Sequence, residues 1–395
     1  MTPRAIWPAG FTPRHSNSVR GPGNGGLRMN ISKLMPAGVA SLLALMIVGC
    51  AEDRSGPGTR SHPARPHDIL TPRSQGADER DDAPRRIRAT FRPKVFCYSL
   101  LVPQESWIAI GGSELSVVKT ENLSTLRKLQ LSADVRSLAV SPSRKLVAAG
   151  CGDGKVHLID AASWQVRSEF APYGVDRATG KNSINVVTFG NSDHTLIVAS
   201  HFLGHALVVW DLDANAGTEL IPAGRPVGHV KLSPDRAWLA VDVKQSDKLL
   251  VYSVADWSVR AELTKPEFGS NPIAFSGDGA RFAATSPTRV YVWEVPVWKG
   301  PSKFDITQVE GLGQGEALGQ LDAALSMDGT VLVTSGPGVT LVDLRSRKLL
   351  VRLPSHGPTA YETAVRFADE ERKIVYLSTR EAVLVHIADL MQGQE

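Results

Sequence analysis

The chain has 395 residues, 44 Lys and Arg against 40 Asp and Glu, a net charge of +4 and 42% hydrophobic residues. This ordinary globular balance excludes the basic footprint of a nucleic-acid-binding protein at chain level. Three cysteines with neither CxxC nor CxxCH spacing exclude a paired-cysteine site and a c-type haem attachment.

The first 28 residues have no structural pattern, and "GPGNGGLR" is Gly-rich. Lys33 supplies a positive charge ahead of an apolar run from Ala37 to Gly49. The run is about 13 residues, too short for the ~20 of a membrane-crossing helix and the right length for the core of a signal peptide. It stops at Ile47-Val48-Gly49-Cys50. This resembles the lipobox of bacterial lipoproteins, and the resemblance implies that Cys50 is lipidated and becomes the first mature residue. A buried helix or short anchor ending in Cys is the alternative. On the lipoprotein reading Met29 is the natural start, residues 1–28 are a gene-start artefact or disordered, and 29–49 are the signal peptide. By the same resemblance, Ala51 after the cysteine favours the periplasmic face of the outer membrane. Residues 50–85 are rich in Pro, Gly, Ser, Arg and Asp. Such a segment cannot bury enough surface to offset its ordering entropy and is expected to be a disordered tether.

Residues 86–395 read as one repeating domain. "LAVSPSRKLVAAGCGDGKVHLIDAASWQVRSEF" (138–170) and "VKLSPDRAWLAVDVKQSDKLLVYSVADWSVRAEL" (230–263) share a frame of four short strands, the fourth starting at "WQVRSEF" or "WSVRAEL". The frame recurs at 98–129, 186–220, 273–304, 323–353 and 364–390. Equivalent turns fall near Pro103, Ser141, Asn191, Pro234, Gly277, Met327 and Ala368. Their successive gaps of about 38–50 residues bracket the ~40–45 of one four-stranded repeat. Trp210-Asp211 is a Trp-Asp dipeptide; Trp293-Glu294, Tyr252, Ile159-Asp160 and Val342-Asp343 take the same place, and Asp153 precedes a third strand.

These residues resemble the WD-repeat family, with the YVTN-type bacterial propellers a near neighbour. The resemblance implies an all-β, seven-bladed β-propeller of four-stranded blades. Most repeats lack the Trp, and Gly-His before a first strand occurs only at Gly228-His229, so the family's His–Ser–Trp hydrogen-bond network is expected to be largely absent. The seventh repeat supplies three strands, and "RIRATFR" (86–92) precedes the first repeat. As in the family, this N-terminal strand is expected to close the last blade and remove an exposed sheet edge. The thiols of Cys97 and Cys151 are left either as a disulfide or as two buried groups.

No nucleophile elbow, phosphate loop, zinc motif or dinucleotide fingerprint occurs. No cofactor or metal is expected. His201 and His205 lie four apart with no further ligand in sequence. The longest connections join blades: 171–184, 221–229, 264–272, 305–320 and 354–363. With the loop 201–205 they are expected to share one face, and function concentrates on such loops. They carry Tyr173, Arg177, Lys181, Phe202, Arg225, Lys265, Phe268, His356 and Tyr361, the aromatic and cationic types that interfaces favour. All but Lys181 are the candidate partner-binding residues. The first strands line the channel, with one inward position reading Leu101, Ala139, Thr188, Lys231, Ala274, Ala324 and Arg366. Near it stand His229 and Asp322. The channel candidates are therefore His229, Lys231, Asp322 and Arg366.

The expected function is that of a monomeric, lipid-anchored, non-catalytic scaffold that binds protein partners of the cell envelope through its inter-blade loops. The alternative is an envelope propeller hydrolase of the lactonase kind, which would need convergent carboxylates at the channel mouth; Asp322 and Glu362 are the available ones.

Overall fold

The computed structural model describes residues 87–92, 97–103, 106–201, 207–267, 269–314, 316–354, 362–368, 372–378 and 381–388. The expectations for residues 1–86, Cys50 among them, and for Phe202, Phe268, His356 and Tyr361 lie outside the described residues.

Strands pair with their chain neighbours into seven four-stranded antiparallel sheets. The innermost strands are Cys97–Leu101, Val135–Val140, Val186–Phe189, Val227–Leu232, Ile273–Phe275, Asp322–Leu325 and Glu362–Ala368. The seventh sheet is completed by Ile87–Phe91, which pairs antiparallel with Ala382–His386 and places Phe91 opposite Ala382. The sheets are the seven blades of a β-propeller, and the ring is closed by the N-terminal strand.

The burial of each strand follows its place in the blade. Second strands such as Leu146–Cys151 and Trp238–Val243 are buried on both faces, because a neighbouring blade lies against each side. They therefore read as continuous apolar runs rather than alternating ones. Outer strands such as Thr125–Leu129 and Val166–Phe170 are exposed over most of their length. The core is correspondingly divided into clusters that span neighbouring blades. The one between the seventh and first blades joins Leu377 and Leu384 to Ile108 and Ile110.

Two recurring turns set the hairpins. Between first and second strands, the hydroxyls of Ser141, Ser233, Ser276 and Ser326 accept hydrogen bonds from the backbone N–H five residues on, at 2.9–3.1 Å. Asp235, Asp278 and Asp328 accept in turn from the serine hydroxyls of their own turns.

Between third and fourth strands the sequence reading needs correction. Trp164 and Trp257 do not begin the outer strand. They sit in the turn with φ of 59° and 56°, and Leu123, Asn215, Trp298 and Arg347 repeat the conformation in other blades. Asp160, Asp211 and Asp343 hold this turn by accepting two backbone N–H groups each. A bulky residue at positive φ is strained, and the packing explains it. Trp164 meets Trp107 of the preceding blade edge-on at 4.9 Å, Trp298 meets Trp238 at 5.9 Å, and Arg347 lies 5.3 Å over the ring of Phe304. The turn drives a wedge into the junction between blades, a role the missing Trp-Asp tryptophans leave open.

Cys97 and Cys151 are both free and buried, and burial pushes each thiol up to about 12.

Candidate functional site

The inter-blade segments divide the partner-binding candidates. Between the second and third blades, Asp176 accepts the backbone N–H groups of Ala178, Thr179 and Lys181 at 3.0–3.2 Å. The Asn182 amide donates to the carbonyls of Tyr173 and Gly174 at 2.8 and 3.0 Å. This folded loop presents Arg177, whose side chain is 68% exposed and whose Nε lies 3.8 Å from the buried Asp153 carboxylate. Tyr173 is half-buried in the junction core, and its hydroxyl donates to the Val198 carbonyl at 3.0 Å. Burial raises its pKa, with the Glu219 charge adding to the effect. Arg225 is exposed on the segment between the third and fourth blades, next to Gly224, whose φ of 91° shapes the turn.

Lys265 is not a surface group. Its side chain is 1% exposed and lies 2.5 Å from the Asp242 carboxylate, which is itself fully buried. The ammonium also donates to the carbonyls of Val243 and Gly269 at 2.6 and 2.7 Å. Asn271 N–H donates to the other Asp242 oxygen at 3.1 Å. Lys265 thus pins the connection between the fourth and fifth blades instead of offering itself to a partner. The signal in sequence was Asp242: a carboxylate inside an apolar strand buried on both faces requires a buried counter-charge.

The four channel candidates line one cavity of about 530 Å3 inside the ring. Three of them form a strut. Lys231 Nζ donates to Asp322 Oδ1 at 2.9 Å, Arg366 Nη1 donates to Oδ2, and Val365 N–H donates to Oδ2 at 3.3 Å. Burial alone would raise the Asp322 carboxyl, but Arg366 and Lys231 outweigh it and hold it well below the usual carboxylate range. The Lys231 ammonium is pushed down by burial and by Arg366, against the pull of Asp322. Burial also pushes the His229 imidazole down, opposed by Asp242 and Asp322.

Two cationic groups at the ends of this cavity were missed in sequence. At one mouth, Arg136 lies 4.1 Å over the ring of Tyr98. At the other end, Arg236 donates to the carbonyls of Phe189, Gly190 and Val140 at 2.9–3.3 Å and ties three blades together. Both occupy fixed positions of the repeat frame, three before and five after the inward position, where a charge among polar or turn residues was the available signal.

Ser132 Oγ lies 2.9 Å from His157 Nε2, and His157 Nδ1 lies 3.4 Å from Glu169. The residue types suit nucleophilic chemistry, but Glu169 is held by Lys155 and the channel cavity does not reach Ser132. The contact fastens the segment between the first and second blades to the third strand of the second blade. Among the described residues no three of His, Cys, Asp and Glu converge as a metal site would require.

The family described as WD domain, G-beta repeat, matches residues 123–160. The matched stretch runs from the turn before the outer strand of the first blade to the end of the third strand of the second. The sequence repeat is therefore staggered by one strand against the blade, the same stagger that lets Ile87–Phe91 close the ring. A search of curated protein sequences finds no match to this chain.

Proposed function

We propose that the chain is a non-catalytic scaffold that binds envelope proteins through its inter-blade loop face, held by lipid on Cys50 at the periplasmic face of the outer membrane. The observation that carries the scaffold reading is the WD-type repeat built into a closed seven-bladed ring. Such a ring fixes inter-blade loops of differing sequence on a rigid support, and a rigid support keeps the entropic cost of docking low. Arg177, Lys181 and Arg225 are described cations exposed on those loops, and Phe202, Phe268, His356 and Tyr361 are expected on the same face from their place in the repeat. The anchoring reading is supported by the order of basic start, apolar core, Ile47-Val48-Gly49-Cys50 and polar tail. One acyl chain binds a membrane only marginally, and two or three hold it stably.

The hydrolase alternative is not favoured, because both oxygens of its channel carboxylate, Asp322, are engaged by Lys231 and Arg366.

The test is a crosslinking pull-down from membranes, combined with fatty-acid labelling. Arg225→Ala, Phe268→Ala and Tyr361→Ala are each expected to weaken capture, by about 1–3 kcal/mol where the residue is a hot spot. Cys50→Ala is expected to abolish labelling. Capture unchanged by all three loop substitutions would overturn the docking face, and an unlabelled wild-type protein would overturn the anchor.

A further inference from the structure

Two cavities of the channel meet at Lys231 and Arg366, which line both. The smaller, of about 250 Å3, is walled largely by Leu232, Phe275, Leu325, Met327 and Phe367. The larger, of about 530 Å3, combines apolar residues such as Leu101, Leu138 and Val187 with a set of cationic and polar side chains. Lys231, Arg366 and Arg136 face it from three blades, with His229 and Thr363 between them. Asp322 is the one carboxylate among the described residues of its lining.

Charge and hydrogen bonding both leave this wall short of acceptors. The Lys231–Asp322–Arg366 strut carries one net positive charge, since one carboxylate serves two cations. Arg136 adds a second cation, which Asp134 meets on the rim at 3.5 Å. Two further buried atoms of lining residues have no hydrogen-bond partner: Thr363 Oγ1, which can donate, and Arg136 Nε, a donor that lies beside Gly152. A third, Ser99 Oγ, points toward Gly111 between two blades and is not part of the wall chemistry. Arg236 has its guanidinium committed to three carbonyls and adds no free donor.

An unmatched charge and unpartnered donors are costly away from bulk water. A ligand rich in acceptors and carrying negative charge offsets both. The volume falls within the roughly 300–1,000 Å3 of small-molecule sites. We infer that the larger cavity is a binding site for a small organic anion bearing a carboxylate or phosphate group. Arg136 and Thr363 receive it at the mouth, and Lys231 and Arg366 meet its charge in the interior. This does not depend on the loop face; a scaffold with no partner on its loops would retain it.

The experiment is calorimetric titration of the purified full chain with succinate and, separately, with inorganic phosphate at constant ionic strength. Saturable binding of either probe at one site per chain is expected, and the probe that binds assigns the carboxylate or the phosphate. Arg136→Gln is expected to weaken it at least tenfold and Lys231→Met to abolish it, while Arg225→Gln on the loop face leaves it unchanged. Arg136→Gln lies outside the strut, so it decides the matter even if Lys231→Met does not fold. Failure of both probes to bind saturably would overturn the inference. So would binding that survives Arg136→Gln, or that Arg225→Gln weakens as much.

Discussion

Lys265 shows how a residue type misleads when its partner is remote. A lysine in a Pro-containing connection reads as a solvated loop cation, yet its side chain is buried against Asp242. Removing one member of a buried pair leaves an uncompensated charge, which costs about 3–5 kcal/mol, whereas removing both costs far less. Lys265→Met is therefore expected to lower the unfolding free energy by that amount, read as a lower urea midpoint at constant m-value. Adding Asp242→Asn should recover more than half of the loss, because the amide oxygen still accepts from Asn271 N–H. A double variant no better than the single one would show that the pair contributes nothing beyond packing. Reduced partner capture with an unchanged midpoint would return Lys265 to the docking surface. Asp235, on the opposite face, accepts from Ser233 Oγ and Ala237 N–H. It is a turn residue and unsuitable as an inert control for docking experiments.

At the scale of the element, the turn between third and fourth strands is where local preference and tertiary packing oppose each other. Residues such as Trp164 are held at positive φ, where an L side chain costs roughly 1–2 kcal/mol and glycine almost nothing. Trp164 keeps that conformation because its ring fills the junction against Trp107. Both Trp164→Ala and Trp164→Gly lose the ring, so both are expected to destabilise, by about 2–4 kcal/mol for a half-buried tryptophan. Only the alanine variant retains the backbone strain. Trp164→Gly is thus expected to be the more stable of the two by about 1 kcal/mol, the reverse of the usual order in regular structure. Thermal melts of the two variants check the sign; an alanine variant equal to or above the glycine one would mean that the turn relaxes to negative φ once the ring is gone.

For the whole molecule, closure is the controlling feature. The ring is joined between its seventh and first blades by an outer strand drawn from the other end of the described chain. Deleting residues 86–92 unpairs the edge formed by Ala382–His386 and removes Phe91 from the junction core. The variant is expected to melt well below the wild type and to aggregate, since an exposed edge strand pairs with other chains. Deleting 51–80 is expected to leave the melting temperature nearly unchanged. Equal effects of the two deletions in calorimetry and light scattering would mean that closure does not carry the ring's stability.

The sequence by itself determined the blade count, the strand order and the closure. Those rest on short-range signals: period-two alternation, serine and aspartate turns at fixed offsets, and a repeat that runs out one strand early. It also placed Lys231, Asp322, Arg366 and His229 in the channel, because a repeat frame fixes which residues face inward. Only the tertiary structure decided which charges meet. Lys231 and Asp322 are 91 residues apart and Asp322 and Arg366 are 44 apart, yet one carboxylate serves both cations. It also decided that Lys265 is buried, that Cys97 and Cys151 stay apart, and that tryptophans wedge the blades from strained turns. The physical reason is the same in each case. A blade's strands are specified by neighbours in the chain, whereas junctions and channel are specified by neighbours in space, and ring closure brings together side chains that no local pattern pairs.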